Sequence, residues 1–277
     1  MRLLIIKIGD IGDVVCALPM ALFAKERGDK ITWVVAKSSR PVLEKVGFID
    51  EIIEVEGFEK RCWFSVLQAW KKIAFRKFDL IVTPYRDQRY ALFSILSRGT
   101  KKSGFPPDVY RPKAYLQFLS DAEIKWPQLP EKKRTKMVLC VGESTKIKGR
   151  FLRAWPEKNY LRLAELIGDG VIVARNGERG LSEFIELLQE AELVITHDCG
   201  ALHLAKLAGA RCLGLFGPTD PKIVAHDEVI VGPLLSCQHC YDGKNYAKCD
   251  RALCMENITP EKVKQRVDSS CSRLVII

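Results

Sequence analysis

Residues 2–24, RLLIIKIGDIGDVVCALPMALFA, open the chain with an apolar run, a turn that contains two glycines and a second apolar stretch. Residues 3–8 are mostly aliphatic and β-branched, which is typical of a strand buried on both faces. After Gly9 and Gly12, apolar residues recur at helical spacing from Val14 onward. A glycine turn between a buried strand and a helix is typical of the first unit of a parallel α/β sheet.

The same alternation of strands and helices continues, stops at a polar break and then starts again. Before the break we predict strands at 31–36, 52–55 and 80–83 and helices at 40–46, 60–77 and 88–97. Residues 126–136, WPQLPEKKRTK, contain two prolines and a charge run, so we place an interdomain linker there. After it we predict strands at 137–141, 171–174, 193–196 and 212–216 and helices at 156–167, 181–190 and 200–208. We therefore expect two doubly wound α/β domains, residues 1–130 and 131–277, each with a parallel sheet.

The composition is that of an ordinary globular protein. Of 277 residues, 47% are hydrophobic and 28% are charged, and 44 Lys and Arg against 34 Asp and Glu give a net charge of +10. This balance argues against a disordered chain, a collagen and a coiled coil. The longest apolar run, residues 14–24, contains Pro19 and is shorter than the ~18 residues that a membrane span needs. Because no signal-peptide core follows Arg2, we expect a cytoplasmic protein.

The turn after the first strand carries Asp10 and Asp13 but lacks the GxGxxG pattern of a dinucleotide site. Two carboxylates at a helix start repel a pyrophosphate, so we expect no dinucleotide there. Asp13 has two interpretations. It is a helix cap with a favourable dipole interaction, or it is a carboxylate base at the carboxyl end of a parallel strand, where ligands bind. Spacing alone favours the cap.

Two polar corners follow strands of the second domain. Residues 196–203 read THDCGALH, and residues 215–221 read LFGPTDP. Backbone N–H groups at a helix start, beside a Gly-Pro-Thr turn with a hydroxyl, suit a diphosphate. The alternative is that Asp198 caps a helix and His203 is an ordinary half-buried residue. The two neighbouring corners together favour the anion pocket.

Four segments together resemble glycosyltransferase family 9, the bacterial ADP-heptose:lipopolysaccharide heptosyltransferases. They are MRLLIIKIGDIGDVVCALP at the start, RAWP at 153–156, HDCGALHLAKLAGA from residue 197 and LFGPTDP. The resemblance spans nearly the whole chain. It implies a GT-B fold of two Rossmann-like domains facing a central cleft, with the acceptor bound by residues 1–130 and the nucleotide-sugar by residues 131–277. It also implies an inverting mechanism in lipopolysaccharide biosynthesis, with ADP-heptose as the donor and no cofactor or metal required for catalysis.

The resemblance also implies roles for particular residues. Asp13 becomes the general base on the acceptor hydroxyl, with Asp10 and Gly12 on the acceptor side. Asp10 is either structural or raises the pKa of Asp13 by like-charge proximity. Arg153 stands where the family usually has Lys and would neutralise diphosphate. The expected donor-binding residues are Arg153, Asp198, Cys199, Gly200, His203, Gly217, Pro218 and Thr219.

Departures from the family pattern support an alternative function. Cys199 stands where the family typically has Thr, so a hydroxyl donor is lost. Only the turn at 175–180 separates two elements between which the family usually fits a further helix and strand that help form the nucleotide base pocket. The alternative is a degenerate member that binds nucleotide-sugar or partners without turnover.

Residues 60–113 hold thirteen Lys and Arg but three acidic residues. One interpretation is a crossover helix whose apolar stripe packs on the sheet while its cations are solvated. The other is a surface that meets anionic lipid, since basic helices with Trp settle at headgroups. The lipid-binding interpretation implies a lipid-linked saccharide acceptor and peripheral association with the cytoplasmic face of the inner membrane. A nucleic-acid-binding module is a weaker hypothesis, because acidic residues occupy the first turn.

The ten cysteines fall into two groups. Four form the pattern Cys237-x2-Cys240-x8-Cys249-x4-Cys254, with His239 inside it, and this spacing suits a tetrahedral structural Zn site. A disulfide or four unligated thiols remain open alternatives. The other six lie among mostly apolar neighbours, which predicts small buried hydrophobic residues. They are Cys16, Cys62, Cys140, Cys199, Cys212 and Cys271.

Overall fold

A computed structural model describes residues 1–56, 63–84, 97–142, 152–233, 235–237, 239–241, 249 and 251–271. The chain divides into two compact units, Met1–Pro130 and Glu131–Ile277. None of the described helices combines the length and the apolar character that a bilayer crossing needs.

The first unit has a five-stranded parallel sheet in the order β3-β2-β1-β4-β5. Its elements are β1 (Arg2–Ile6), α1 (Ile11–Glu26), β2 (Lys30–Ala36), α2 (Arg40–Val46), β3 (Glu51–Val55), α3 (Trp63–Ile73), β4 (Lys77–Thr83), β5 (Arg98–Ser103) and α4 (Arg111–Leu116). Leu3 pairs with Ile31 on one side and with Leu80 on the other, so β1 is the central strand. The strand order reverses between β1 and β4, and such a point is where doubly wound sheets bind ligands.

The second unit has a five-stranded parallel sheet in the order β10-β9-β8-β6-β7. Its elements are β6 (Lys136–Val141), α5 (Glu157–Ile167), β7 (Val171–Arg175), α6 (Leu181–Gln189), β8 (Ala191–His197), α7 (Gly200–Ala208), β9 (Arg211–Phe216), α8 (Pro221–Val224), β10 (Glu228–Val231), α9 (Leu253–Glu256) and α10 (Pro260–Cys271). Here the order reverses between β6 and β8, so residues that follow β8 lie at the switch point.

The expected fold class of two parallel-sheet α/β domains is confirmed. The helix predicted at 40–46 has those bounds in the structure. The helix predicted at 60–77 is wrong at its end, because α3 stops at Ile73 and Lys77 begins β4. Phe75 between them has a φ of 62°, which ends the helix. Residues 57–62 and nearly all of the helix predicted at 88–97 lie outside the described residues.

Strands β5 and β10 and helices α4, α8, α9 and α10 were absent from the sequence prediction. Every residue of β5, Arg98–Ser103, is exposed, so the strand has no apolar alternation to reveal it. It forms because β4 supplies a hydrogen-bonding edge beside it.

The core of the second unit includes a tryptophan that ties its helices together. The Trp155 indole N–H donates to the Ile258 carbonyl at 2.8 Å, and its ring meets Tyr160 edge-on at 4.6 Å between centroids. Trp155 and Tyr160 are buried beside Val263 of α10. This packing anchors α5 and α10 over the sheet.

We predict that Trp155→Phe lowers the free energy of unfolding by about 2 kcal/mol, because a buried carbonyl loses its donor and a cavity opens. Urea denaturation measures the change. Leu161→Ala, at an exposed position of α5, is the control and should stay within about 0.5 kcal/mol of the wild type. An unchanged midpoint for Trp155→Phe would contradict this account of the core.

Candidate functional site

The turn after β1 places Asp10 and Asp13 differently. Asp10 occupies the N-cap position of α1 with a φ of 59°, a conformation that Asp tolerates better than most residues, and it is exposed. Asp13 lies inside the first turn of the helix. The cap interpretation of Asp13 is therefore wrong at that position, although the helix dipole still favours its negative charge.

The Asp13 carboxylate is held from two sides. The Lys7 ammonium lies 2.8 Å from Oδ2, and the Tyr115 hydroxyl donates to Oδ1 at 3.2 Å. The Lys7 side chain is 2% exposed, whereas that of Asp13 is 27% exposed. A buried ammonium needs a counter-charge, and the same pairing favours the ionised carboxylate. Asp13 is thus an anion with a fixed orientation that solvent and small molecules still reach.

Tyr115 comes from α4, and neither it nor Lys7 was predicted from the sequence. Burial, and then the Asp13 charge, raise the pKa of Tyr115 well above its ordinary value, so the hydroxyl keeps its proton and donates. Phe105 packs edge-on against the Tyr115 ring at 5.2 Å, and the Arg111 guanidinium lies 4.2 Å from the Phe105 centroid. The sequence could have indicated Lys7, because it is a charged residue inside an otherwise apolar run. No feature of the neighbouring sequence distinguishes Tyr115 as a site residue.

The second unit brings together three of the predicted donor-binding residues. The Arg153 guanidinium lies 2.9 Å from Asp198 Oδ2, and the Thr219 hydroxyl donates to the same oxygen at 2.6 Å. Asp198 is buried. Burial by itself raises the pKa of Asp198, but the Arg153 charge and the Thr219 hydrogen bond outweigh it and hold the pKa below its ordinary value. Asp198 is therefore a fixed anion that positions a cation and a hydroxyl.

Cys199 and Gly200 begin α7, directly after Asp198. Cys199 is the N-cap residue in an extended conformation, and its Sγ lies 3.3 Å from Thr196 Oγ1. Burial raises the pKa of the Cys199 thiol, which makes the thiol unreactive. The backbone N–H groups of the first turn of a helix remain suited to an anion, whatever side chain stands at the cap.

His203 lies on α7 and is paired with a histidine that the sequence did not indicate. His203 Nδ1 is 2.8 Å from His226 Nε2. Burial, and then His203 itself, lower the pKa of His226. His203 is also close enough to Asp198 to help hold the Asp198 pKa down.

Below this corner, a buried polar network fixes the end of β8. His197 Nδ1 lies 3.0 Å from the Tyr160 hydroxyl, which also accepts the His197 backbone N–H at 3.0 Å. Burial lowers the pKa of His197 to about 4. The neutral His197 and Tyr160 therefore set the position from which Asp198 leaves the strand.

The Gly217-Pro218-Thr219 turn contacts a segment that sequence reasoning did not connect with it. The Tyr241 backbone N–H donates to the Pro218 carbonyl at 3.0 Å, and His239 Nδ1 lies 3.2 Å from the Thr219 carbonyl. The Tyr241 ring centroid is 5.2 Å from the Arg153 guanidinium carbon. The cysteine-containing segment thus covers the turn and contacts Arg153.

Residues 171–254 match the sequence model of glycosyltransferase family 9, the heptosyltransferases. The resemblance stated from the sequence is confirmed over this segment. The matched segment includes Asp198, His203 and Thr219, whereas Asp13 and Arg153 precede it.

Solved heptosyltransferases share the fold of this chain. The Escherichia coli heptosyltransferase WaaC with ADP is 17% identical, with a TM-score of 0.76 over 97% of this chain and 99% of that one. The same enzyme with ADP-2-deoxy-2-fluoro heptose is 18% identical, with a TM-score of 0.72 over 98% and 100%. E. coli ADP-heptose lps heptosyltransferase II is 17% identical, with a TM-score of 0.73 over 100% of both chains. The chain shows no significant match to a curated protein sequence.

The contact between Lys7 and Asp13 predicts a measurable energetic coupling between the two residues. In a double-mutant cycle of Lys7→Met and Asp13→Asn, we expect a coupling free energy of roughly 2 kcal/mol, because each single variant leaves a charge without its partner. Urea unfolding of the four proteins gives this value. Asp10→Asn is the control, since Asp10 is exposed, and strictly additive effects of the two single substitutions would refute the pairing.

The lowered pKa of Asp198 predicts that the stability of the protein depends on pH. The folded-state pKa of Asp198 lies below the ordinary value of 3.8, so its contribution is complete above that value and is lost as pH falls toward the folded pKa. We expect the unfolding free energy of Asp198→Asn to fall less steeply below pH ~4 than that of the wild type. Asp169→Asn, at an exposed position, should keep the wild-type slope. Equal slopes in all three proteins would contradict the assignment.

Proposed function

We propose that this chain is a glycosyltransferase that transfers heptose or a related sugar from an ADP-sugar to a lipopolysaccharide-core-type acceptor, with inversion at the anomeric carbon. The observation that carries the proposal is the assembly of Arg153, Asp198 and Thr219 where β8 and β9 end. The fold shared with heptosyltransferases whose structures contain ADP or ADP-2-deoxy-2-fluoro heptose supports it.

The proposed binding of the sugar donor depends on the positive electrostatic potential around Arg153 and the N-terminus of α7. As the bond from the anomeric carbon to the diphosphate oxygen breaks, the leaving ADP gains charge and needs fixed donors. Arg153 supplies a cation, and the N-terminus of α7 supplies N–H dipoles. Asp198 keeps Arg153 and the Thr219 hydroxyl in position. Gly200, Gly217, Pro218 and His203 complete the proposed donor-binding set, and no catalytic metal is needed.

The acceptor half rests on Asp13. In a single displacement, the acceptor hydroxyl attacks the anomeric carbon and gives its proton to a carboxylate oxygen of Asp13. Lys7 favours the ionised form that accepts a proton, and the Tyr115 hydroxyl fixes the orientation of the carboxylate. The same pairing weakens Asp13 as a base, so proton transfer is expected late, when the attacking hydroxyl has become more acidic. Gly12 and Asp10 flank this position.

The basic residues of the first unit form the surface to which we propose that the acceptor binds. Within the described part, Lys71 and Lys72 of α3 and the whole of β5, with its lysines, are exposed. Trp70 packs against the core, which agrees with the crossover-helix interpretation, while the side chains of Trp63 and Phe64 lie outside the described residues. We propose that these cations meet phosphate groups of a lipid-linked acceptor at the cytoplasmic face of the inner membrane.

A second candidate function is donor binding without turnover. It is favoured by Cys199, whose thiol is buried against Thr196 where the resemblance implies a hydroxyl. The turn between β7 and α6, where the family usually has further elements, also favours it.

A thermal-shift panel of ADP-, GDP-, UDP- and dTDP-sugars tests the donor. We expect a shift with the ADP-sugar, because a ligand at 100-fold its Kd adds about 2.7 kcal/mol of stability. Arg153→Ala should lose the shift, whereas the matched control Arg175→Ala, which removes an exposed ion pair with Glu157, should keep it. A chain that responds to none of the four would refute the proposed donor.

Transfer assays with Asp13→Asn separate the two candidates. Under the proposal, this variant keeps the donor-induced shift but loses transfer by roughly 10²–10⁴-fold, the usual contribution of a general base. Donor binding in a wild type that never transfers sugar would support the second candidate. Full transfer by Asp13→Asn would show that Asp13 is not the base.

A further inference from the structure

Two histidines of the second unit contact each other beside the Asp198 carboxylate. His203 Nδ1 lies 2.8 Å from His226 Nε2, and the two rings meet edge-on with 4.9 Å between their centroids. His203 belongs to the first turn of α7, whereas His226 belongs to the segment that joins α8 to β10. His203 is buried and His226 is half-buried. The contact therefore connects the start of α7 to a segment on the far side of β9.

The short distance between the two ring nitrogens means that they share one proton. Two protonated nitrogens would repel each other, and two unprotonated nitrogens would bring two lone pairs face to face. One ring is therefore the donor and the other is the acceptor. The charged groups around the pair decide which ring carries the shared proton.

These charged groups favour the proton on His203. Asp198 and His203 are close enough for a charge on His203 to help hold the Asp198 pKa below its ordinary value, and the same attraction favours a charged His203. Lys206 of α7 opposes a further positive charge, but its ammonium pairs with Asp227 at 3.1 Å. Burial, then the charge of His203 and then that of Lys206 lower the pKa of His226. His226 is therefore the neutral ring of the pair at pH 7.

A charge on His203 changes the net charge around Asp198. The positive charge of Arg153 is cancelled by that of Asp198, 2.9 Å away, and the charges of Lys206 and Asp227 cancel in the same way. Among the described groups at this position, an imidazolium at His203 therefore supplies the net positive charge. A diphosphate needs such a charge, and most of all when it leaves the sugar.

We propose that His226 is a positioning residue that accepts the Nδ1–H of His203 and thereby keeps His203 as an imidazolium. This inference rests on the proposed function, because it assigns the charge of His203 to the binding of the nucleotide-sugar diphosphate. A hydrogen bond to the charged form of an ionisable group favours that form, so an acceptor at position 226 increases the fraction of charged His203. His226 acts through His203 and has no contact of its own with the donor.

Nitrogen-15 NMR of the imidazole rings in the ligand-free chain at pH 7 tests the hydrogen bond. The chain has four histidines, so single substitutions assign their signals. We expect two protonated nitrogens in His203 and one protonated nitrogen in His226. In His226→Leu, which has no acceptor, His203 should become neutral. A neutral His203 or a charged His226 in the wild type would overturn the proposal.

Calorimetric titration with ADP tests the consequence for the donor site. We expect His226→Leu to bind ADP about tenfold more weakly, because the net positive charge is lost. His226→Gln keeps an amide oxygen that accepts a hydrogen bond, so it should stay within about threefold of the wild type. Glu192→Gln, at an exposed position of β8, is the control and should keep the wild-type affinity. Equal losses in His226→Leu and His226→Gln would show that His226 has a structural role only.

The two measurements separate this inference from the proposed function. A wild type with a charged His203 that never binds ADP would refute the proposed donor and leave the histidine pair established. A wild type that binds ADP with a neutral His203 would refute the role of His226 and leave the proposed donor in place. If His226→Leu does not fold, the wild-type spectrum alone decides the protonation of both rings.

Discussion

Burial of the Asp198 carboxylate is the constraint on which the arrangement of Arg153 and Thr219 depends. A charge removed from water is costly unless cations and donors compensate it, and here Arg153 and Thr219 meet the same oxygen. Arg153 comes from the turn that precedes α5 and Thr219 from the turn after β9, so one anion connects three segments of the chain. Beneath it, two hydrogen bonds between His197 and Tyr160 hold the strand end from which Asp198 follows.

The two units place a carboxylate at a similar position with opposite chemical consequences. Both Asp13 and Asp198 follow a strand beside the point where the strand order of the sheet reverses. Asp198 is enclosed, and its lowered pKa keeps it an anion at neutral pH that positions other groups. Asp13 keeps more than a quarter of its side chain exposed, so an acceptor hydroxyl could reach it. Exposure, rather than residue type, separates a positioning carboxylate from a candidate base.

The predictions from sequence succeeded where the pattern was local. Helix α2 and the strands around β1 follow apolar periodicity, which depends on residues close together in the chain. Strand β5 has six exposed residues, and no periodicity could reveal a strand that forms because β4 offers an edge. Lys7 is a charged residue in an apolar run, so the local sequence could have indicated it. Tyr115 and His226 contact Asp13 and His203 only after folding, so the local sequence could not indicate them.

The sequence by itself determined the two parallel α/β units, the motifs that resemble glycosyltransferase family 9 and the residue types that follow β1, β8 and β9. These properties depend on short segments of sequence, in which the spacing of apolar residues, glycines and prolines determines strands, turns and helix starts. Only the tertiary structure decided that Asp198 is buried while Asp13 is accessible, and that the cysteine segment contacts the Gly217-Pro218-Thr219 turn. Burial and electrostatic partnership depend on residues distant in the chain, and packing alone brings those residues together.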